Sequence, residues 1–425
     1  MIDIKELKTR RDEIAKNIKD RYMNVDIDAI IKDQEERNAL LVEVDQLRAK
    51  RNENAQKMKQ KLTPEERATL IQEGKNIKQE IAELEAKLQE IDKKFTDEVR
   101  TIPNYASPEA PIGKEDKDNL AIKFVGEPTK FTFKAKDHVQ LGEALDILDF
   151  DKGAKVSGQK FYYIKNKGVI LQMALERYAM DIVIKHGFTP FITPDVAKEE
   201  ILNGIGFNPR GAESNIYTLE GTGTCLVGTA EITLGGYYSD TILDKKDLPI
   251  KMTGLSHCFR REAGGAGQYS KGLYRVHQFS KLEMFIYCLP EQSEAFHKEI
   301  LAIEEEIFAG LGLPYRIVDT ATGDLGAPAY RKFDIEAWMP GRGDEGEYGE
   351  VTSTSNCTDY QARSLNIRYR DEDGKIKFVH MLNGTAVALS RAIVAVLENY
   401  QNEDGSVTIP AALRPYCGFD RIETK

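Results

Sequence analysis

Arg260-Arg261-Glu262 and Arg275-Val276-His277-Gln278-Phe279-Ser280-Lys281-Leu282-Glu283 stand on either side of a glycine-rich connector, Ala263-Gly264-Gly265-Ala266-Gly267. Guanidinium groups suit phosphate or carboxylate oxygens in bidentate geometry, carboxylates accept from amino groups, and an exposed ring offers a stacking face. Two arginines, two carboxylates and one ring presented together suit an anionic, aromatic ligand such as ATP. A surface hairpin laced with ordinary salt bridges would carry the same residue types.

A hairpin is the element that must position them. Both flanks alternate with period two, and glycine dominates the connector. On the second strand the even positions Val276, Leu282, Met284 and Ile286 are apolar, whereas Arg275, His277, Phe279 and Glu283 fall on the odd face. The spacing predicts that one face packs and the other meets a ligand. Arg260 and Glu262, two apart on the first strand, are expected to share a face as well.

The 425 residues, 41% of them hydrophobic, suffice for a sizeable core and for two or more domains. No stretch reaches the roughly 18 uninterrupted apolar residues of a membrane helix. The start Met1-Ile2-Asp3-Ile4-Lys5-Glu6 lacks the order of a signal peptide, so a cytoplasmic protein with no membrane partner is expected. Cys225, Cys258, Cys288, Cys357 and Cys417 are odd in number, widely spaced and without a Cys-x-x-Cys pair, which predicts free thiols and no zinc. A net charge of −10 argues against nonspecific nucleic-acid binding by the whole surface, but a local basic patch could still engage phosphates.

Such a patch exists. From Asp28 to Arg100 apolar residues recur at three-and-four spacing, first Leu40, Val44, Leu47, Met58 and Leu62, then Ile77, Ile81, Leu84, Leu88, Ile91 and Phe95. That is a heptad seam. Between the runs, Thr63-Pro64-Glu65-Glu66 matches a capping box with Pro at N1. One helix ends and another begins, giving an antiparallel hairpin of two helices, each about 35 residues and on the order of 50 Å long. Near its turn Arg48, Lys50, Arg51, Lys57, Lys59 and Lys61 face a single acid, Glu53, a local balance of +5. A solvated helical surface explains such a run; so does an arm that grips a polyanion.

Beyond Ile102-Pro103-Asn104-Tyr105 the composition is that of a mixed domain. A helix is predicted over 167–186, followed by a strand in Gly187–Pro194, and later strands alternate without βαβ rhythm. The fold class is therefore α+β, with a helical arm followed by an antiparallel β-sheet flanked by helices.

Taken in order, the arm, the Pro194 segment, Thr229-Ala230-Glu231, the Arg260–Glu283 hairpin, Glu350-Val351-Thr352-Ser353 with Asn356-Cys357-Thr358-Asp359, and Leu382-Asn383-Gly384-Thr385 through Arg391 resemble the seryl-tRNA synthetases. The resemblance implies a tRNA-binding arm in residues 1–110 (long hairpin about 28–100) and a class II catalytic domain in 111–425. It implies ATP-dependent attachment of L-serine to tRNA(Ser) through seryl-adenylate, with tRNA(Sec) a further substrate. Arg260 would bridge α-phosphate and serine carboxylate, Glu262 read the adenine amino group and Phe279 stack on the base. Arg275 and Arg391 would hold the γ-phosphate, with Arg261, Val276, Val351 and Thr352 completing the ATP site. Glu350 and Ser353 would hold Mg²⁺ with the nucleotide. Residues three apart on a regular strand face opposite ways, so a bulge or strand end must separate those two. Thr229, Ala230, Glu231, Glu283, Asn383 and Thr385 would form the serine pocket, Glu283 reading ammonium and hydroxyl. The Gly187–Pro194 motif implies a homodimer, in which one subunit's arm holds a tRNA whose end enters the partner's active site.

Two positions depart from the family. Thr385 stands where many relatives carry serine, and Gln268-Tyr269-Ser270-Lys271 replaces a run richer in arginine. Three other readings compete: an enzyme charging a carrier protein, a coiled-coil interaction protein with a degenerate core, and a synthetase for another amino acid. The arm counts against the first, the retained charged residues against the second, and the arm with Thr229-Ala230-Glu231 against the third.

Overall fold

The computed structural model describes residues 1–207, 215–262 and 272–424. The connector Ala263–Gly267 and the run Gln268–Lys271 lie outside the described residues. The chain divides into two compact units, Met1–Pro103 and Asn104–Lys425.

Three helices make the N-terminal unit: α1 (Arg11–Asp20), α2 (Ile27–Lys57) and α3 (Pro64–Val99). The sequence pattern did not single out α1, a short helix held by Ile14 and Ile18 one turn apart. The Asp26 carboxylate caps α2, accepting from the backbone N–H groups of Asp28 at 3.1 Å and Ala29 at 3.0 Å. At the start of α3 the expected box is complete. Thr63 Oγ1 accepts from Glu66 N at 3.2 Å, while Glu66 Oε2 accepts from Thr63 N at 2.8 Å.

Along the hairpin Val44, Leu47, Ile81 and Phe95 are buried and Leu84 and Leu88 half-buried, whereas the seam residues nearest the turn, Met58, Leu62 and Ile77, include none that is fully buried. Polar contacts take over there. The Asn54 side-chain amide donates to Leu70 O at 3.1 Å, and Gly74 gives it room, since a Cβ at 74 would lie 3.2 Å from Asn54 Oδ1. Arg37–Asp92 at 2.5 Å and Arg48–Glu85 at 2.8 Å tie α2 to α3 farther down.

The larger unit is built on eight strands: β1 (Leu120–Val125), β2 (Thr189–Ile192), β3 (Ile250–Phe259), β4 (Gln278–Cys288), β5 (Tyr315–Asp319), β6 (Arg331–Met339), β7 (Glu347–Asn356) and β8 (His380–Ala388). Their order is β1-β5-β6-β7-β8-β4-β3-β2, and every pair is antiparallel except β2 with β3. Pro190 is tolerated in β2 because that strand lies at the sheet edge, where a ladder donor can be spared. Helices α4 (Lys167–Lys185), α5 (Glu199–Ile205), α6 (Ala230–Gly235), α7 (Ser293–Gly310), α8 (Tyr360–Leu365) and α9 (Leu389–Asn399) cover the sheet.

Strand β4 shows how its sequence sorts the two faces. Leu282, Met284, Ile286 and Cys288 enter a large core with residues of α4, α7 and α9. Phe285 and Tyr287 enter a smaller core with residues of α5, α6 and α8. From Lys281 to Cys288 every residue is buried, and the odd face is closed by the smaller core from Phe285 onward. One expectation needs correction. β3 ends at Phe259 and β4 begins at Gln278, so strand alternation does not align Arg260 with Glu262. One further backbone bond, Arg260 N to His277 O at 2.9 Å, extends the pairing before the chain turns at Glu262, where φ is +48°.

All five cysteines are buried, and none is in a disulfide. Among the described residues no helix is long and apolar enough to cross a membrane. Removing the α3 cap by Thr63→Ala is expected to weaken the first turn by about 1 kcal/mol. Faster amide hydrogen exchange confined to the start of α3, with the catalytic unit unchanged, would check it.

Candidate active site

A cleft of about 230 Å³ opens over the sheet face that carries the odd residues of β4. Phe279, Lys281 and Glu283 project into it at every second position, which spreads them over about 13 Å of strand. The end of β3 adds Arg260 and Glu262, and the approach to β4 adds Arg275 and Val276. Thr229 and Glu231 come from the start of α6, Asn383 and Thr385 from β8, and Arg391 from α9. Two sequence candidates stay out of the wall. Arg261 is exposed, its backbone N–H bonded to Asn215 O at 2.9 Å, and Ala230 is buried in the smaller core.

Glu350, Val351, Thr352 and Ser353 all reach the cleft because β7 is irregular. In the β6–β7 ladder Ile335 opposes Thr352, but Glu336 opposes Glu350, so Val351 is an extra residue. This bulge re-phases the strand and lets Glu350 and Ser353 line one cavity. Two oxygen donors of this kind fit a hard divalent cation better than a soft one.

The charges are arranged in pairs. Glu350 Oε1 lies 2.9 Å from Arg391 Nη1, whose guanidinium stacks over the Tyr274 ring at 4.7 Å. Burial works to raise the Glu350 carboxyl, but Arg391, Lys332 and Arg260 outweigh it and hold it below the ordinary carboxylate value. Arg275 Nη1 is 3.3 Å from Glu262 Oε2. Arg260 packs over the Phe279 ring at 5.4 Å and donates from Nε to Gly228 O at 3.3 Å. His277 turns away: Nδ1 lies 2.9 Å from Arg260 O, and because a carbonyl only accepts, Nδ1 carries the proton.

At the other end two carboxylates stand in different company. Glu283 contacts the Lys281 ammonium directly and accepts from Thr385 Oγ1 at 3.2 Å; Lys281 Nζ also donates to Thr385 Oγ1 at 3.3 Å. Among the described residues the side-chain donors to Glu231 are neutral, Gln361 Nε2 at 2.8 Å and Asn383 Nδ2 at 3.1 Å. Burial first, and then the nearby Glu283, push its carboxyl up to about 7.

Lys281, Tyr274 and Gln361 were not among the sequence candidates. Lys281 could have been found, since the odd series that selects Phe279 and Glu283 passes through it. Nothing in the local pattern marks Tyr274 or Gln361. Of the basic residues near the hairpin turn, Lys50, Arg51, Lys57, Lys59 and Lys61 are exposed, whereas Arg48 is engaged by Glu85 and by Asp45 at 3.4 Å.

An antiparallel sheet in this order, with a charged cleft across its central strands, defines a class II aminoacyl-tRNA synthetase core. Residues 217–400 match the family model for the tRNA synthetase class II core domain (G, H, P, S and T), and residues 1–106 match that for the seryl-tRNA synthetase N-terminal domain. A serine–tRNA ligase of Treponema denticola is 64% identical over 422 residues, covering 99% of this chain and 100% of the relative. One of Borrelia recurrentis is 53% identical over 425 residues, covering 100% of both. The crystal structure of seryl-tRNA synthetase from Pyrococcus horikoshii complexed with ATP aligns with a TM-score of 0.87 at 40% identity, covering 100% of both chains. The chain belongs to the seryl-tRNA synthetase family.

Removing one member of a buried ion pair strands the other, at a cost of roughly 3–5 kcal/mol. Lys281→Met is therefore expected to lower the urea midpoint strongly, and Lys281→Met with Glu283→Gln to lower it less. Equal decreases in the single and double variants would show that the pair is not coupled.

Proposed function

We propose that this enzyme uses ATP to activate L-serine as seryl-adenylate and then transfers the seryl group to tRNA(Ser). In the first step a serine carboxylate oxygen attacks the α-phosphorus and pyrophosphate leaves. In the second a ribose hydroxyl of the tRNA end attacks the acyl carbon and AMP leaves. Neither step needs a protein nucleophile, so the work left to the chain is to align two anions and stabilise developing charge. The observation that carries this reading is the convergence of Arg260, Arg275, Arg391, Glu262 and Phe279 with Glu231, Glu283 and Thr385 in one cleft.

The hairpin end suits the nucleotide, with Phe279 for the base, Glu262 for its amino group, and Arg275 and Arg391 for terminal phosphates. Arg260 lies between Phe279 and the carboxylate end, where it can touch both the α-phosphate and the serine carboxylate. Glu350 and Ser353 would hold the Mg²⁺ that accompanies ATP, which supplies positive charge to the phosphates. The charge pairing also redistributes the serine pocket. Lys281 compensates Glu283, leaving Glu283 and Thr385 to read the hydroxyl, whereas Glu231, whose side-chain donors among the described residues are neutral, is left for the ammonium. Alanine would bring no hydroxyl to Glu283 and Thr385 and forgo the hydrogen bonds that serine gains there.

The N-terminal unit is proposed as the tRNA-binding arm, gripping phosphates through Lys50, Arg51, Lys57, Lys59 and Lys61, with Arg48 contributing less. The exposed apolar residues Ile170, Met173 and Ile184 of α4, with Ile192 of β2 at 88% exposure, support a homodimer across that face. The reaction is placed in the cytoplasm, and tRNA(Sec) is proposed as a second acceptor.

Arg260→Ala is expected to reduce serine-dependent ATP/pyrophosphate exchange by about a hundredfold or more; near-normal exchange would refute the phosphate role. Charge reversal at Lys50, Arg51 and Lys57 should leave exchange intact, weaken tRNA binding and flatten its salt dependence by about one unit of slope for each phosphate the arm no longer engages. An unchanged slope would show that these three side chains do not meet phosphates.

A further inference from the structure

Gln361 lies in α8, 130 positions from Glu231, and is fully buried. Its amide nitrogen has two hydrogens and two acceptors within reach: Ile205 O, the last carbonyl of α5, at 3.0 Å, and Glu231 Oε1 at 2.8 Å. One hydrogen therefore anchors the amide to backbone while the other aims the carboxylate. We propose that Gln361 is a positioning residue that holds Glu231 ready for the ammonium group of serine. The inference rests on the reading of Glu231 as the ammonium acceptor.

A neutral donor is what that task requires. A lysine or arginine at 361 would satisfy the carboxylate and also cancel its charge, as Lys281 does for Glu283. An apolar residue would leave Glu231 to rotate at the cleft wall with Asn383, at 3.1 Å, as its remaining side-chain donor among the described residues. The amide orders the carboxylate and leaves its charge to attract a cation. The charged and titratable groups that bear on Glu231 are Glu283 and Lys281 of β4 and Arg260 beyond β3. Burial and Glu283 raise its pKa, the Gln361 hydrogen bond draws it part of the way back, and the balance lies at about 7. Without that bond the carboxyl ionises only at higher pH, and serine meets a neutral acid over more of the working range.

The test is kcat/KM for serine in ATP/pyrophosphate exchange with the full-length enzyme, measured from about pH 6 to 8.5, where the ionisation of the free enzyme is read directly. The unaltered enzyme is expected to rise about tenfold per pH unit up to a break near 7 and then level. Gln361→Met should move the break to higher pH, so that the deficit is tenfold or more on the acid side and shrinks on the alkaline side, with KM for ATP unchanged. Gln361→Glu keeps the shape of the side chain and should move the break the same way, since carboxyls sharing a site raise one another's ionisation pH. A break unmoved in both variants, or a deficit equal at every pH, overturns the proposal. Glu231→Gln separates the two levels of inference. It should lose the break altogether, and if it kept the profile of the unaltered enzyme the ammonium reading itself would fall.

Discussion

Ionised side chains can be buried only where each faces a partner, or a ligand that will become one, because an isolated charge out of water is far too costly. The cleft is organised by that constraint. Glu350 faces Arg391, Glu262 faces Arg275 and Glu283 faces Lys281, so the protein is stable with the nucleotide and amino acid absent. Glu231 departs from the pairing, and its carboxyl is correspondingly the one displaced toward neutrality. A binding site for a cation and a polyanion can thus stand open because its own groups neutralise one another until the ligands arrive.

The sheet makes this arrangement possible by segregating chemistry along one strand. In β4 the even residues hold the large core together, while the odd residues change function along the strand, lining the cleft to Glu283 and entering the smaller core from Phe285. Rigidity at one end is transmitted to precision at the other, since a side chain on a fully buried strand has few ways to move. The substrate groups proposed to meet Phe279 and Glu283 are therefore spaced by the pleat itself.

Much of this was legible because it is local. The Thr63–Glu66 box, the seam through Val44, Leu47, Ile81 and Phe95, and the even-odd division of β4 each depend on residues within a few positions of one another. The need for an irregularity between Glu350 and Ser353 followed from their spacing once the resemblance assigned both to one ion, and a bulge occupies it. What escaped depends on side chains meeting across the fold. Gln361 reaches Glu231 only after α6 and α8 are brought side by side, and Arg48 looks free until Glu85 arrives from the other helix. The turn at Glu262, with its positive φ, defeated a strand-based argument about which side chains share a face.

The extra residue at Val351 also sets where this chain can change length. The Pro340–Gly346 turn between β6 and β7 is held by its neighbours, since Gly341 N donates to the buried Glu398 at 2.9 Å and Arg342 lies over the Tyr274 ring at 4.5 Å. Losing one residue at the bulge would let the β6–β7 ladder run on without interruption, since Glu350 would still oppose Glu336 and Thr352 would still oppose Ile335. A one-residue gap is therefore absorbed at this point of the strand, whereas one made elsewhere in β7 would turn every side chain beyond it to the opposite face.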